Sequence, residues 1–209
     1  MSLRALAQQQ SPGFLHMFAR LIERGAQLYP FFSGAGRFAN SALFRALDPP
    51  GGEDRIVKTR CGGWAVIPAG DHVGRAMRFV GDLDPKVSWV LDRVLDRGDV
   101  ALDIGANLGL VSLRMAARVG PTGHVHSFEP QPRMLDYLRQ TQAKNPGLPL
   151  TLHPVALGPE EKTMTMHIPD GNAGAGSLSK SSAEWQEVAV PVKRLDDYAK
   201  EIGIDRIDV

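Results

Sequence analysis

The sequence predicts an α/β fold built on a mostly parallel, doubly wound sheet, preceded by a helical N-terminal extension. Two observations carry that prediction. Between residues 100 and 157, short apolar runs of strand length alternate with segments of helical periodicity, the βαβαβ pattern of a parallel sheet with right-handed crossovers. The turn after the first strand of this run is rich in glycine, and it falls at the end of the sheet where such folds bind ligands. A chain of 209 residues has room for one such domain and an extension, but not for two full domains.

Residues 14–29 carry Phe14, Leu15, Phe18, Leu21, Ile22 and Leu28 at mostly helical spacing, with Arg20, Glu23, Arg24 and Gln27 between them. This is the pattern of an amphipathic helix. Residues 30–40, with Ser33-Gly34-Ala35-Gly36, break it, and a second short helix is expected over 41–47 before Asp48-Pro49-Pro50-Gly51-Gly52. Residues 1–50 therefore read as a helical cap that packs on the main domain or on a second copy. Its arginines Arg4, Arg20, Arg24, Arg37 and Arg45 leave a membrane-surface helix as the other reading.

The main domain is expected over 51–209. Residues 55–68 hold Ile56, Val57, Trp64, Val66 and Ile67 around Gly62-Gly63, which predicts a hairpin. After Pro85, Val87, Val90, Leu91, Val94 and Leu95 keep one helical face as far as Arg97-Gly98-Asp99. The core follows as strand 100–104, helix 108–119, strand 124–129, helix 134–144 and strand 150–157. Residues 171–182, dominated by glycine and serine, are expected to be a loop or a closing lid.

Composition narrows the function. With 43% hydrophobic and 22% charged residues the chain is of ordinary globular type, and a net charge of +1 offers no general attraction to a phosphate backbone, so nucleic acid is not expected as a partner. The single cysteine, Cys61, excludes an internal disulfide and a cysteine-built zinc site, and no metal site is expected. No apolar run approaches the roughly 18 to 20 residues of a membrane span, and the N-terminus lacks the order of a secretory signal. The expected location is cytoplasmic.

The chemistry is concentrated in Asp103-Ile104-Gly105-Ala106-Asn107-Leu108-Gly109, the turn from the first parallel strand into its helix. Gly105 and Gly109 let the main chain pass close to a ligand, and the helix that follows is expected to offer N–H groups to an anionic tail. Glu129, at the end of the next strand and about 20 residues after Gly109, sits where an acidic side chain accepts hydrogen bonds from ribose hydroxyls. The dinucleotide fingerprint G-x-G-x-x-G fails, because its second and third glycines would fall at Asn107 and Leu110. Asp103 also puts a carboxylate where two phosphates would be repelled but an ammonium and a sulfonium would be welcome.

Residues 100–113, V-A-L-D-I-G-A-N-L-G-L-V-S-L, resemble the first motif of the FkbM-type methyltransferases. His126-Ser127-Phe128-Glu129-Pro130 is similar to the family's second motif, Val155-Ala156-Leu157-Gly158 to its third, and residues 190–197 to a later strand-then-helix marker. The resemblance covers residues 55–209 and implies a Rossmann-like methyltransferase sheet with S-adenosyl-L-methionine as cofactor. It implies that Asp103, Gly105, Asn107 and Gly109 cradle the methionine end, that Glu129 clamps the ribose, and that Ala156 lies beside the adenine. In the family the chain runs on past residue 209 into further strands, so the sheet is expected to be incomplete at its C-terminus, with an open edge through which, or through the N-terminal helix, a second copy would pair.

The family implies a hydroxyl acceptor on a sugar, polyketide or other small natural product. A base would assist such an acceptor, yet His72, His126, His153 and His167 are not distinguished by sequence, and no catalytic residue is assigned. Two other readings stay open: an NAD(P)-dependent oxidoreductase with a variant loop, and a non-catalytic adenosylmethionine-binding module.

Overall fold

The computed structural model describes residues 21–28, 33–169, 175–179 and 185–209. Residues 21–26 are helical, and the remainder of the helix expected over 14–29 lies outside the described residues, apart from the turn that follows it. In chain order the elements are α1 (Ala35–Ala39), α2 (Ala42–Leu47), β1 (Arg55–Lys58), β2 (Trp64–Ile67), α3 (His72–Phe79), α4 (Pro85–Val94), β3 (Val100–Ile104) and α5 (Leu110–Val119). There follow β4 (His124–Phe128), α6 (Pro132–Ala143), β5 (Leu150–His153), β6 (Ala156–Leu157), β7 (Lys162–Ile168), β8 (Gln186–Lys193) and α7 (Leu195–Ile202).

The centre is a parallel sheet in the order β3-β4-β5. Side chains alternate across a strand, so Ala101, Val125 and Leu150 face one way, and Leu91, Leu95, Met115, Ala116 and Val119 from the α4 and α5 region close over them as one apolar core. Each large aliphatic side chain fully buried in this way stabilises the fold by about 1.5–3 kcal/mol. On the other edge of β3, Leu102 N–H donates to the Val209 carbonyl at 2.8 Å and Asp208 N–H to the Val100 carbonyl at 2.8 Å.

The hairpin β1–β2 is antiparallel and pairs Arg55 with Ile67 and Lys58 with Trp64. The free edge of β2 is met by α6 side chains and the residues just after it: Val66 N–H donates to Thr141 Oγ1 at 2.9 Å, and Trp64 N–H to Asn145 Oδ1 at 2.8 Å. Ala65 and Ile67 of β2 join Leu108, Leu113 and Met134 in a second core beneath the glycine turn.

Two expectations are corrected. The single strand expected over 150–157 is two: β5 ends at His153, and after Pro154 the chain enters β6, which pairs with β8 rather than β4. Proline cannot donate to a ladder, so the change of sheet occurs there. The mostly parallel character expected is present in β3-β4-β5 and in the β6–β8 pair, while β7 runs antiparallel to β8 over Lys162 to Ile168. Residues 30–40 do not simply break the extension, since α1 lies within them with Ala35 and Ala39 buried. Of the glycine-serine stretch 171–182, residues 175–179 are described and Ser177 bridges to His167.

The helix α3 has no counterpart in the sequence expectations. Asp71 caps it, accepting from Val73 N–H at 2.8 Å and Gly74 N–H at 2.9 Å. Two of its arginines, Arg75 and Arg78, are each only 6% exposed. Arg78 donates to Asp48 at 2.7 Å and is paired with Glu23, while Arg75 donates to Asn40 Oδ1 at 2.7 Å and to the Gly70 carbonyl at 2.7 Å. Burial pulls the Arg75 guanidinium below its usual range, with Asp48 and Asp71 opposing. Around this network Ala26, Ala35, Ala39 and Phe44 share a core with Ala76, Phe79 and Val80, so the extension packs on the main domain.

Gly109 begins α5 with a φ of +80°, and a Cβ added to it would lie 2.3 Å from Leu138 Cδ1 of α6. Gly109→Ala is therefore expected to cost about 1–3 kcal/mol, from a left-handed non-glycine residue and from overpacking. Urea denaturation checks the magnitude, and the double variant with Leu138→Ala should lose less than the sum of the two single losses.

Candidate functional site

The turn after β3 is held in place by β4. Gly105 and Ala106 N–H both donate to the Phe128 carbonyl, at 2.9 and 3.0 Å. Gly105, Asn107 and Gly109 all have positive φ, at 86°, 51° and 80°, and Asn107 tolerates this because its short side chain turns back to accept from Leu108 N–H at 2.8 Å. Gly109 N–H donates to the Ala106 carbonyl at 2.8 Å.

Glu129 completes the turn. Its Oε2 accepts from Asn107 N–H at 2.7 Å and its Oε1 from Gln131 N–H at 2.9 Å, so one carboxylate ties the glycine turn to the start of α6. Burial pushes the Glu129 carboxyl above its usual range, the two N–H donors offset part of that, and the nearby Asp103 adds to it. A carboxylate oxygen accepts more than one bond, so acceptor capacity is left over.

Asp103 is 7% exposed and belongs to a buried chain of hydroxyls, in which Ser127 Oγ donates to Ser112 Oγ at 2.7 Å and Ser112 Oγ to Asp103 Oδ2 at 2.5 Å. Burial raises its carboxyl above the usual range, and the side-chain and backbone donors of Ser112 oppose this. The N–H groups of the turn itself, from Gly105 to Gly109, are all committed within the protein. The donors expected from the helix that follows are Leu110 and Val111 N–H, in the first turn of α5, whose cap residue Gly109 has no side chain and whose Ser112 N–H is engaged by Asp103.

Beside the turn lies a cavity of about 380 Å³ whose wall includes Asp103, Gly105, Ala106, Asn107, Leu108, Leu110 and Val111 from one side. Asp82, Leu83, Asp84, Val87, Ser88 and Leu91, leading into and along α4, supply the other. The volume falls within the range of about 300–1,000 Å³ usual for small-molecule sites. A Cβ added at Gly105 would meet no protein atom within 4 Å, so the main chain here borders open space.

Of the six residues singled out from sequence, Asp103, Gly105 and Asn107 line the cavity, and Glu129 reaches it through the Asn107 N–H. Gly109 and Ala156 are not among the lining residues; Gly109 packs on Leu138, and Ala156 is buried at the start of β6. Asp82 and Ser88 were not anticipated. Asp82-Leu83-Asp84-Pro85 is a helix-start signature in which Asp84 does the capping, accepting from Lys86 N–H at 3.1 Å, and this leaves Asp82 as the extra acid that could have been noticed.

None of the four candidate histidines lines the cavity. His72 Nε2 lies near Gly36 of α1, and His167 on β7 is 3.4 Å from Glu187. On the sheet face away from α4 and α5, His126 Nδ1 and His153 Nε2 are 3.0 Å apart, and His153 stacks on Phe128. Among the described residues no group of three or more His, Cys, Asp or Glu could hold a metal, and no helix is long and apolar enough to cross a membrane.

Residues 103–209, about half of the chain, match the Methyltransferase FkbM domain. The chain belongs to this family. S-adenosylmethionine is the cofactor of the FkbM domain, and the match takes in the glycine turn, Glu129 and the β6–β8 unit. Among solved structures, similarity is found to the precorrin-6y C5,15-methyltransferase of Geobacter metallireducens, at 25% identity over 34% of this chain and 37% of that one, with a TM-score of 0.31. It is also found to a SAM-dependent O-methyltransferase of Thermotoga maritima, at 21% identity over 48% of this chain and 40% of that one, with a TM-score of 0.34. A third is the fibrillarin of Aeropyrum pernix with bound S-adenosyl-L-methionine, at 17% identity over 50% and 43% of the two chains and a TM-score of 0.27. The chain thus spans well under half the length of the first two structures. No curated protein sequence matches it.

The histidine pair has a measurable consequence. Burial, followed by the neighbouring His124 and His153, lowers the His126 imidazole to about 4, and His153 is lowered in the same direction. A histidine with a depressed folded pKa favours the fold while neutral, so its contribution is complete above about 6.5 and is lost as the pH falls through 4. The melting temperature is expected to drop on acidification across that window, and to drop less steeply in His126→Gln; thermal denaturation at a series of pH values checks it.

Proposed function

We propose that this member of the FkbM family is an S-adenosylmethionine-dependent methyltransferase that uses the turn after β3 as its cofactor cradle. The observation that carries the reading is Gly105: its φ of 86° and the open space at its missing Cβ put bare main chain on the wall of the cavity. When bound, the cofactor supplies a methyl group on a sulfonium, ready for in-line displacement by a nucleophile. The protein's part is to hold that group and the acceptor aligned and to keep water away, and such positioning supplies much of the rate. In this reading Glu129 turns its spare acceptor capacity to the ribose hydroxyls, Asp103 and Asn107 flank the methionine end, Gly109 sets the close packing that the cradle needs, and Ala156 lies beside the adenine.

The acceptor we propose is a hydroxyl on a small molecule or glycan, methylated in the cytoplasm, with a second copy pairing through the N-terminal helix or an open sheet edge. A dinucleotide in the same cavity is disfavoured, because its pyrophosphate would face Asp82, Asp84 and Asp103. Calorimetry with S-adenosylhomocysteine and with NADH separates the two cofactors, and binding of the first without the second is expected. A methyl-release assay over a library of hydroxyl compounds then separates an enzyme from a non-catalytic binder, and supports the reading if any member accepts methyl.

Two variants test the cradle. Glu129→Ala should lose charge-assisted hydrogen bonds worth roughly 1.5–3 kcal/mol and weaken S-adenosylhomocysteine binding on the order of tenfold to a hundredfold. Unchanged affinity in the folded variant would remove Glu129 from the site. Gly105→Val should abolish binding, through backbone strain and an obstructed approach, while lowering thermal stability only modestly; normal binding by that variant would move the cradle elsewhere.

A further inference from the structure

The wall of the cavity that faces the glycine turn carries a carboxylate in an unusual setting. Asp82 is 5% exposed, and its hydrogen bonds come from neutral groups: Ser88 Oγ donates to Oδ2 at 2.8 Å, and Asp84 N–H to Oδ1 at 3.2 Å. Among the described residues no cation lies within ion-pairing distance of it; Arg114, the basic group that feels its charge, is itself paired with Asp92 through Nε at 2.9 Å and through a second nitrogen. A buried carboxylate that has neutral hydrogen-bond donors and no ion pair of its own is stabilised by a positive group placed against it. Asp82 and Ser88 both line the cavity, and α5 presents its first turn, with Leu110 and Val111, on the opposite side.

We infer that Asp82, held by Ser88, receives the ammonium group of the cofactor's amino-acid end, so that the cavity is selective for a zwitterionic head. The inference rests on the cofactor reading above and deepens it. A negative group on one wall and the positive end of a helix dipole on the other match an ammonium and a carboxylate on the same carbon. An amino-acid head satisfies both walls, whereas a neutral nucleoside satisfies neither. In this arrangement Asp82 is a positioning residue: by fixing the methionine end it sets where the sulfonium stands, and it takes no part in the displacement.

The test is a binding cycle on the full chain with S-adenosylhomocysteine and its deaminated analogue, in which hydrogen replaces the amino group. Wild-type protein should bind the parent compound on the order of ten times or more tightly than the analogue, as expected for a charge-assisted bond. In Asp82→Asn, which keeps the shape and one acceptor, that ratio should shrink to within about twofold, with the analogue's own affinity little changed. Ser88→Ala, which frees Asp82 from its hydroxyl, should shrink the ratio partway and serves if the asparagine variant does not fold. A ratio that survives in the folded variants, or an equal loss of both ligands, overturns the inference while leaving the cofactor reading intact. If wild-type protein binds neither compound, the cofactor reading itself fails, and this inference fails with it.

Discussion

The geometry of the site depends on one buried carboxylate. Glu129 closes a bridge from the end of β4 to the middle of the glycine turn, and it does so with both oxygens, one on Asn107 N–H and one on Gln131 N–H. Three positive φ angles within five residues would leave an unsupported turn poorly defined, and the bridge confines it. The Phe128 carbonyl adds two further bonds from the same strand end. Position and chemistry are therefore joined: the residue that shapes the turn is also the one with acceptor capacity beside the cavity, and disturbing it disturbs both.

The second organising feature is the difference between the two faces of the central sheet. One is covered by aliphatic side chains from α4 and α5. The other carries His124, His126 and His153 beside Phe128 and Tyr198, whose ring meets that of His153 at 87°. Burial and the neighbouring imidazoles favour the neutral form of His126 and His153, whose ring nitrogens stand 3.0 Å apart, since a charge on one would face the other at close range. The face is polar in composition but behaves as packed surface near neutral pH.

The parts that were legible in the sequence are those whose signals are local. β3, the turn and α5 follow one another within twenty residues, and alternation, glycine positions and helical periodicity are all visible there without knowledge of distant partners. The strand over 150–157 was misread because its apolar character continues through Pro154, and what changes there is the neighbouring strand, which lies more than thirty residues away in β8. α3 was missed for a related reason. Arg75 and Arg78 look like a solvated face until Asp48, Asn40 and Glu23 are brought against them from the extension. Asp82 was hidden by its neighbour Asp84, whose role as a cap accounts for an acid at the start of a helix and draws attention away from a second one.

The buried guanidinium of Arg78 has a consequence for how this protein can change over time. It is balanced by Asp48 and Glu23, both from the extension, and leaving such a charge uncompensated costs several kcal/mol. Neither side of that contact can drift alone: loss of the acid strands the base, and loss of the base strands the acid.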